Sequence, residues 1–258
     1  MVFAEVLSGS RGADKRETVM AIVRQALVYD GPGGPFEGVA AWDDAIPGKR
    51  PCVLVLPNVL GQKEADNLKA DALAGLGYVA LAADVFGQGK RTTLHEDNRT
   101  RYMDALNADR GLLRERLAAS LAALAGLPRA DPDKAAAIGF CFGGKCVLDM
   151  ARAGLGILGG VTFHGVYDRP DYASVSPITA KLLLCHGWND PISPPDATVA
   201  LADELTARAA DWQLHAYGHA GHAFTDVGRT APGNIAYEPR ADKRSWRAMI
   251  DFLEELFA

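Results

Sequence analysis

Residues 139–143 read Gly-Phe-Cys-Phe-Gly, and this pentapeptide places a thiol between two glycines at a spacing that suits nucleophilic chemistry. An apolar run at 135–140 leads into it, and a helix-like stretch at 144–152 follows it. In a tight turn from strand to helix, glycines two residues before and after the nucleophile let the two elements approach closely. The helix N-terminus then favours a thiolate. The pattern predicts that Cys141 is a nucleophile. The alternative is a structural cysteine beside chance glycines.

A cysteine nucleophile needs a base, and the base needs a carboxylate to orient it. After a strand–turn–helix elbow these residues follow in the chain order nucleophile, carboxylate, histidine. Asp190 has the right position, because it lies in the segment 186–191 directly after an apolar run. Its alternative role is turn formation in Asn-Asp-Pro. Asp168 and Asp196 are the other carboxylates that could orient the base.

Two histidines in the segment 218–224 follow the next apolar run and could supply the base. We choose His222 over His219, because His222 follows a glycine and lies deeper in the segment. We expect His219 to lie on the surface or to support the site indirectly. His164 ends another apolar run and either lines the pocket or is a hydrogen-bonded structural histidine.

The rest of the chain alternates strand and helix patterns, which predicts an α/β fold with a mostly parallel central sheet flanked by helices on both faces. Such sheets bind ligands at the carboxyl ends of their strands. The irregular stretches 86–98 and 223–239 therefore either shape a pocket mouth or are plain surface loops. The oxyanion that acyl transfer creates needs two backbone N–H donors. We expect one from Phe142 and the other from the loop at 57–61. The predicted strands are 22–29, 37–42, 52–56, 78–83, 135–140, 158–163, 182–185 and 212–217, and the predicted helices are 63–75, 99–127, 144–152, 197–210 and 243–257.

Composition and charge favour a single globular domain over residues 1–258, with 1–16 as a short N-terminal extension. The net charge of -5 argues against nucleic acid or an anionic membrane as a partner. The four cysteines are scattered and form neither a disulfide framework nor a zinc-ligand pattern. No apolar run approaches the ~18 residues of a spanning helix. We expect a cytoplasmic protein, because a free thiol nucleophile suits a reducing compartment, and a homodimer is left open.

These residues together resemble the dienelactone hydrolase family of α/β-hydrolases. The resemblance rests on the elbow at 139–144, on 186–191 and 221–224, on 78–87 and on the C-terminal segment 241–246. It implies an α/β-hydrolase fold with Cys141, Asp190 and His222 as a catalytic triad. It also implies Val59 and Phe142 as the oxyanion-hole N–H donors. The family hydrolyses esters and lactones and needs no cofactor or metal.

The sequence departs from the family's namesake enzymes at three positions. They carry a glutamate that gates ionisation of the thiol, where this chain has Asn58. An asparagine cannot accept a proton, but its NH₂ group could donate a hydrogen bond to an ionised sulfur. The namesakes also bind a substrate carboxylate with two arginines, where this chain has Gln88 and Asp226. Without that clamp, we expect the substrate to be a neutral small-molecule ester or lactone.

Three activities are compatible with these residues. The leading one is a carboxylic ester hydrolase that forms an acyl-cysteine intermediate. The second is a thioesterase or acyl transferase with the same intermediate, and the third is a binding protein that has kept the fold and lost turnover. The residues expected to line the substrate pocket are Asn58, Leu60, Phe86, Gln88, His164, Trp188 and Phe224.

Overall fold

A computed structural model describes residues 21–258, so the predicted extension at 1–16 lies outside the described residues. The strands are β1 Ile22–Tyr29, β2 Phe36–Asp43, β3 Arg50–Leu56, β4 Val79–Ala82, β5 Ala130–Phe140, β6 Gly159–Phe163, β7 Lys181–Gly187, β8 Trp212–Tyr217, β9 Thr230–Ala231 and β10 Ile235–Ala236. The helices are α1 Glu64–Gly75, α2 Arg101–Ala108, α3 Arg110–Ala125, α4 Phe142–Arg152, α5 Pro195–Ala207 and α6 Pro239–Phe257.

Eight of these strands form one sheet in the order β1-β2-β4-β3-β5-β6-β7-β8. Strand β2 is antiparallel to both of its neighbours, and all other pairs are parallel. The inner strands β4 and β6 are buried along their whole length, as expected for parallel strands covered on both faces. The α/β-hydrolase fold predicted from the sequence is therefore confirmed.

Helices cover both faces of the sheet, because alternate residues of each inner strand point to opposite sides. Along β3, Leu54 and Leu56 pack on the face that also holds buried leucines of α3 and α5 and apolar residues of α4. Val53 and Val55 pack on the other face, where α1 and α6 contribute apolar residues. The two cores fix the sheet between the helix layers and so fix the edge at which the loops emerge.

The carboxyl ends of the parallel strands lie in register at one edge of the sheet. Leu56 pairs with Gly139, Phe140 with Phe163, Phe163 with Cys185, and Gly187 with Tyr217. The loops that follow β3, β5, β6, β7 and β8 consequently start side by side. Val59, Cys141, Asp190 and His222 lie in these loops, and Phe142 begins helix α4 directly after Cys141.

Some predicted boundaries differ from the structure. The single helix expected at 99–127 is two helices, because Asp109 ends α2 and caps α3 by accepting a hydrogen bond from the Leu112 N–H at 2.8 Å. Helix α6 begins at Pro239 rather than at 243, where Glu238 accepts a 2.7 Å hydrogen bond from the Ala241 N–H. Across residues 21–258, no helix is long and apolar enough to cross a membrane.

Candidate active site

Cys141 lies in the turn between β5 and α4, and its backbone has a positive φ of 56°. The flanking glycines are required by close backbone contacts. A Cβ atom at Gly139 would lie 2.0 Å from the Gly143 carbonyl oxygen, and one at Gly143 would lie 2.2 Å from the Leu56 carbonyl oxygen. Since no side chain fits at such distances, the sequence pattern of the elbow has a direct steric cause.

The strained conformation of Cys141 is held by hydrogen bonds from both sides. Its N–H donates to the Phe163 carbonyl at 3.0 Å, and its carbonyl accepts from the Gly144 N–H at 3.0 Å. A positive φ at a residue other than glycine costs about 1–3 kcal/mol and persists where surrounding contacts impose it. The side chain is half-buried, whereas Cys52, Cys146 and Cys185 are buried. Burial raises the pKa of the Cys52 and Cys185 thiols to about 12.

Asp190 is buried, and both of its carboxylate oxygens are used. Oδ1 accepts hydrogen bonds from the N–H groups of Ile192 and Ser193 at 2.8 and 3.2 Å. Oδ2 lies 2.8 Å from Nδ1 of His222. Because its backbone partners fix the carboxylate, Asp190 can hold the imidazole ring of His222 in one orientation.

His222 is fixed through its backbone as well as through its ring. Its N–H donates to the Asn234 carbonyl at 2.8 Å, and its carbonyl accepts from the Ala236 N–H at 3.0 Å. The hairpin of β9 and β10 therefore supports the loop that carries His222. His219, in the same loop, is exposed, as expected for the histidine that was not chosen.

Burial, Cys141 and Asp190 together set the pKa of His222. Burial alone would lower the pKa of His222, but the charge of Cys141 and the hydrogen bond to Asp190 raise it from 6.5 to about 10. Its Nε2 atom is buried and closes no hydrogen bond within the described part of the chain. After burial, Cys141 is the largest influence on the pKa of the His222 ring, and it acts to raise that pKa.

The two backbone N–H groups expected to bind the oxyanion are those of Val59, in the loop at 57–61, and of Phe142. Phe142 is the first residue of α4, so its N–H has no partner within the helix. The loop at 57–61 lies against this helix, because a Cβ at Gly143 would be 2.8 Å from the Pro57 carbonyl oxygen. Among the loop and cap hydrogen bonds of residues 21–258, none uses the N–H of Val59 or of Phe142. Both expected oxyanion donors are therefore unoccupied.

Asn58 does not make the hydrogen bond to the sulfur that its residue type allowed. Its Nδ2 donates to Oδ2 of Asp226 at 3.3 Å. Its Oδ1 accepts from the Leu60 N–H at 3.1 Å and from Nζ of Lys63 at 3.2 Å. The expectation of a direct hydrogen bond from Asn58 to the thiolate is corrected, because these three partners hold the carboxamide.

Three of the residues expected to line the pocket are almost fully buried. Phe86 packs against the Phe142 ring with centroids 5.7 Å apart. Phe224 and His164 are 0% exposed, with ring centroids 5.0 Å from each other. These three side chains pack in the core, and their role in the pocket stays a prediction.

The other pocket residues lie nearer to solvent. Leu60 is half-buried, and Trp188 is 41% exposed. Gln88 is exposed, and its N–H donates to the Pro35 carbonyl at 2.9 Å, which ties it to the turn between β1 and β2. The pocket roles of these three residues stay predictions.

The alternative carboxylates have other partners. Asp168 pairs with Arg110 at 2.7 Å and with Lys145 at 2.8 Å. Asp196 is exposed in the first turn of α5. Neither shares a hydrogen bond or ion pair with His222 in the part of the chain that the structure describes.

Sequence reasoning missed two supporting histidine contacts. His186 is buried between the Tyr167 hydroxyl and the Thr198 hydroxyl, at 3.1 Å from each. It links the loop after β6 to α5 beside Asp190. His164 binds the Thr225 hydroxyl through Nε2 at 2.8 Å, and its ring centroid lies 5.0 Å from that of His222. Both residues end predicted strands, but their partners come from distant loops and leave no local pattern.

The structure combines a half-buried cysteine on a strained strand–helix turn with a buried Asp–His pair on the following loops. This arrangement is typical of the α/β-hydrolase fold. Residues 36–257 match the sequence profile of the Dienelactone hydrolase family. The chain belongs to this family, as the resemblance predicted, and it is an ester or lactone hydrolase.

Several known proteins are similar to this chain in sequence or structure. The solved structure of "Dienelactone Hydrolase-like Promiscuous Phosphotriesterase P91 from Metagenomic Libraries" is 34% identical, with a TM-score of 0.84 over 92% of this chain and 100% of that one. The structure named "m3DLH" is 37% identical, with a TM-score of 0.85 and the same coverage. A Bradyrhizobium protein named "Probable 2-oxo-3-(5-oxofuran-2-ylidene)propanoate lactonase" is 27% identical over 81% of this chain and 85% of its own length.

Proposed function

We propose that the protein is a cysteine-dependent hydrolase of neutral carboxylic esters or lactones, and that it works through an acyl-cysteine intermediate. The observation that carries this proposal is the buried Asp190–His222 pair, 2.8 Å apart, whose imidazole is also electrostatically coupled to Cys141. A thiol with this partner is activated as a nucleophile, since the thiolate is the reactive form.

In the proposed mechanism the Cys141 sulfur attacks the ester carbonyl carbon while His222 holds the thiol proton. The carbonyl oxygen becomes an oxyanion, which accepts hydrogen bonds from the N–H groups of Val59 and Phe142. The tetrahedral intermediate collapses with cleavage of the C–O bond, and His222 passes its proton to the leaving alcohol. For a lactone, the alcohol stays attached to the acyl group.

Deacylation repeats these steps with water. His222 removes a proton from water, which attacks the thioester carbonyl carbon. The carbonyl oxygen again becomes an oxyanion bound by the same two N–H groups. Cleavage of the C–S bond releases the carboxylic acid, and the proton returns from His222 to the sulfur. Asp190 keeps Nδ1 of His222 protonated throughout, so that Nε2 alone exchanges the proton.

The charge at the loops around the site supports a neutral substrate. Asp226 is half-buried in the loop after His222 and shares no ion pair with an arginine, lysine or histidine among the described residues. A substrate carboxylate would meet this negative charge instead of a cationic clamp. The name of the Bradyrhizobium relative, a lactonase, supports lactones as one substrate class.

A second candidate activity is hydrolysis of neutral phosphotriesters. The 34% identical relative is named a promiscuous phosphotriesterase. The same thiol could attack phosphorus and displace an aryloxide, and water activated by His222 would then cleave the S–P bond. Acyl transfer to an alcohol or amine also stays a prediction, as do a cytoplasmic location and a homodimer.

Intact-protein mass spectrometry tests the proposed function. Wild-type protein mixed briefly with p-nitrophenyl acetate should gain the mass of one acetyl group and then lose it with time, and Cys141→Ala should gain none. Added methanol or glycine ester that captured the acetyl group in preference to water would favour transfer. No adduct and no p-nitrophenol release across a panel of neutral esters and lactones would refute the hydrolase assignment. A diethyl aryl phosphate tests the second candidate in the same way.

A further inference from the structure

One side-chain hydrogen bond joins the two loops that hold opposite halves of the proposed machinery. The oxyanion loop, residues 57–61, contains Val59, and the histidine loop, residues 218–226, contains His222. Nδ2 of Asn58 donates to Oδ2 of Asp226 at 3.3 Å, although the two residues are 168 positions apart in the chain. Asn58 is only 5% exposed and Asp226 is half-buried, so the contact is partly shielded from water.

On the oxyanion side, Asn58 also sets the shape of the loop. Its Oδ1 accepts from the Leu60 N–H at 3.1 Å, and its carbonyl accepts from the Gly61 N–H at 3.1 Å. This is an Asx turn, and it consumes the two N–H groups that follow Val59. The N–H of Val59 is left as the donor that the turn presents.

On the base side, Asp226 belongs to a tight turn that starts next to His222. The Asp226 N–H donates to the Ala223 carbonyl at 2.9 Å, and Ala223 has a positive φ of 61°. A turn this short transmits a displacement of Asp226 to the neighbouring backbone of His222. The carboxylate makes no other side-chain hydrogen bond within residues 21–258, so Asn58 is its anchor.

We infer that Asn58 is a positioning residue: through Asp226 it keeps the oxyanion donor of Val59 in register with the His222 base. This inference rests on the proposed function. The Val59 N–H and the His222 ring must serve the same tetrahedral intermediate, one binding its oxyanion and the other transferring a proton. A misplacement of about 1 Å can cost about 100-fold in rate. The hydrogen bond between Asn58 and Asp226 fixes the oxyanion loop and the histidine loop relative to each other, in addition to their attachment to the central sheet.

A side-chain exchange tests the inference. Asn58→Asp keeps the acceptor for Leu60 and Lys63 but sets two carboxylates against each other, so the bond is lost. The double variant N58D/D226N restores a donor and an acceptor with their places exchanged and with the wild-type net charge. Asp226→Asn alone controls for charge, because two carboxamides can still form the hydrogen bond.

The first readout is the rate of Cys141 acetylation by p-nitrophenyl acetate, compared with its alkylation by iodoacetamide, which forms no oxyanion. Asn58→Asp should slow acetylation by about 10-fold or more and slow alkylation much less. The double variant should return to within about 3-fold of the wild-type rate. A double variant as slow as Asn58→Asp, or an Asn58→Asp acetylation rate equal to wild type, overturns the inference.

Hydrogen–deuterium exchange supplies a readout that does not need catalysis. Asn58→Asp should raise exchange in both loops, and the double variant should reverse it. Thr225→Val is the matched control: it removes the His164 partner from the histidine loop and should leave exchange at 57–61 unchanged. If wild-type protein shows no acetylation, the proposed function fails, and exchange then decides the loop coupling separately. If exchange in Asn58→Asp rises at 57–61 but does not change at 218–226, the coupling is overturned.

Discussion

Replacing Asp190 by asparagine should disable His222 without disturbing the fold, because the surroundings of Asp190 dictate how an amide would sit. Oδ1 accepts from the Ile192 and Ser193 N–H groups at 2.8 and 3.2 Å. The carboxamide oxygen of Asp190→Asn must take this position, since the two donors need an acceptor. The NH₂ group then faces Nδ1 of His222, to which the carboxylate is bonded at 2.8 Å. An NH₂ group only donates, so Nδ1 must accept and the ring proton moves to Nε2.

With its proton on Nε2, the ring cannot accept the thiol proton. The variant also loses the carboxylate that helps to raise the pKa of His222. The same isosteric change in a Ser-His-Asp triad lowers kcat by about 10⁴, or about 5.4 kcal/mol. A thiol ionises more readily than a serine hydroxyl and depends less on its base. We therefore expect acylation to fall by about 10³–10⁴-fold.

Stopped-flow release of p-nitrophenol measures this acylation step directly. Asp196→Asn is the matched control, since Asp196 is an exposed aspartate of α5 and its replacement should leave the rate unchanged. Circular dichroism should show both variants folded, with similar melting temperatures. A loss of less than about 10-fold in folded Asp190→Asn would refute the role assigned to Asp190.

Three further predictions follow from the same geometry. His222→Ala should lower kcat by about 10²–10⁴-fold, whereas replacement of exposed His219 should change it little; reversed results would mean that the wrong histidine was chosen. Gly139→Ala places a Cβ 2.0 Å from the Gly143 carbonyl oxygen, and urea unfolding should show a destabilisation of about 3 kcal/mol or more. Gly218→Ala serves as the control, because a Cβ at Gly218 meets nothing within 4 Å. Since the pKa of His222 is raised from 6.5 to about 10, the stability it contributes is fully present below pH 6.5 and is lost as the pH rises through 10. The melting temperature of wild type should accordingly fall more steeply over this range than that of His222→Gln, and parallel curves would contradict the raised pKa.

The parts of the structure that sequence could predict are those with local causes. The elbow is one, because Gly139 and Gly143 are dictated by contacts within a few residues of Cys141 or with the adjacent strand end. The order of Cys141, Asp190 and His222 along the chain is another, because parallel strands deliver successive loops to one edge of the sheet. These two features were sufficient to choose Asp190 and His222, which the structure pairs at 2.8 Å, and to propose Cys141 as the nucleophile.

The parts that sequence could not predict depend on partners from distant segments. The helical pattern at 99–127 runs through Asp109, and only its capping contact with Leu112 shows that the chain turns there. Phe224 and His164 have residue types that suit a pocket wall equally well. Their burial is decided by packing against each other and against Tyr217 and His222, which no periodicity records.

Asn58 shows why a residue's chemistry does not determine its role. The sequence specifies a carboxamide with two donors and one acceptor oxygen beside the oxyanion loop, and a hydrogen bond to the sulfur was one legitimate use of it. The fold instead brings Asp226 to within 3.3 Å and Lys63 to within 3.2 Å. The carboxamide is then more useful as a link between loops than as a modifier of the thiol. A glutamate at this position would place a second carboxylate beside Asp226. Neutral Asn58 and acidic Asp226 are therefore best understood as a pair.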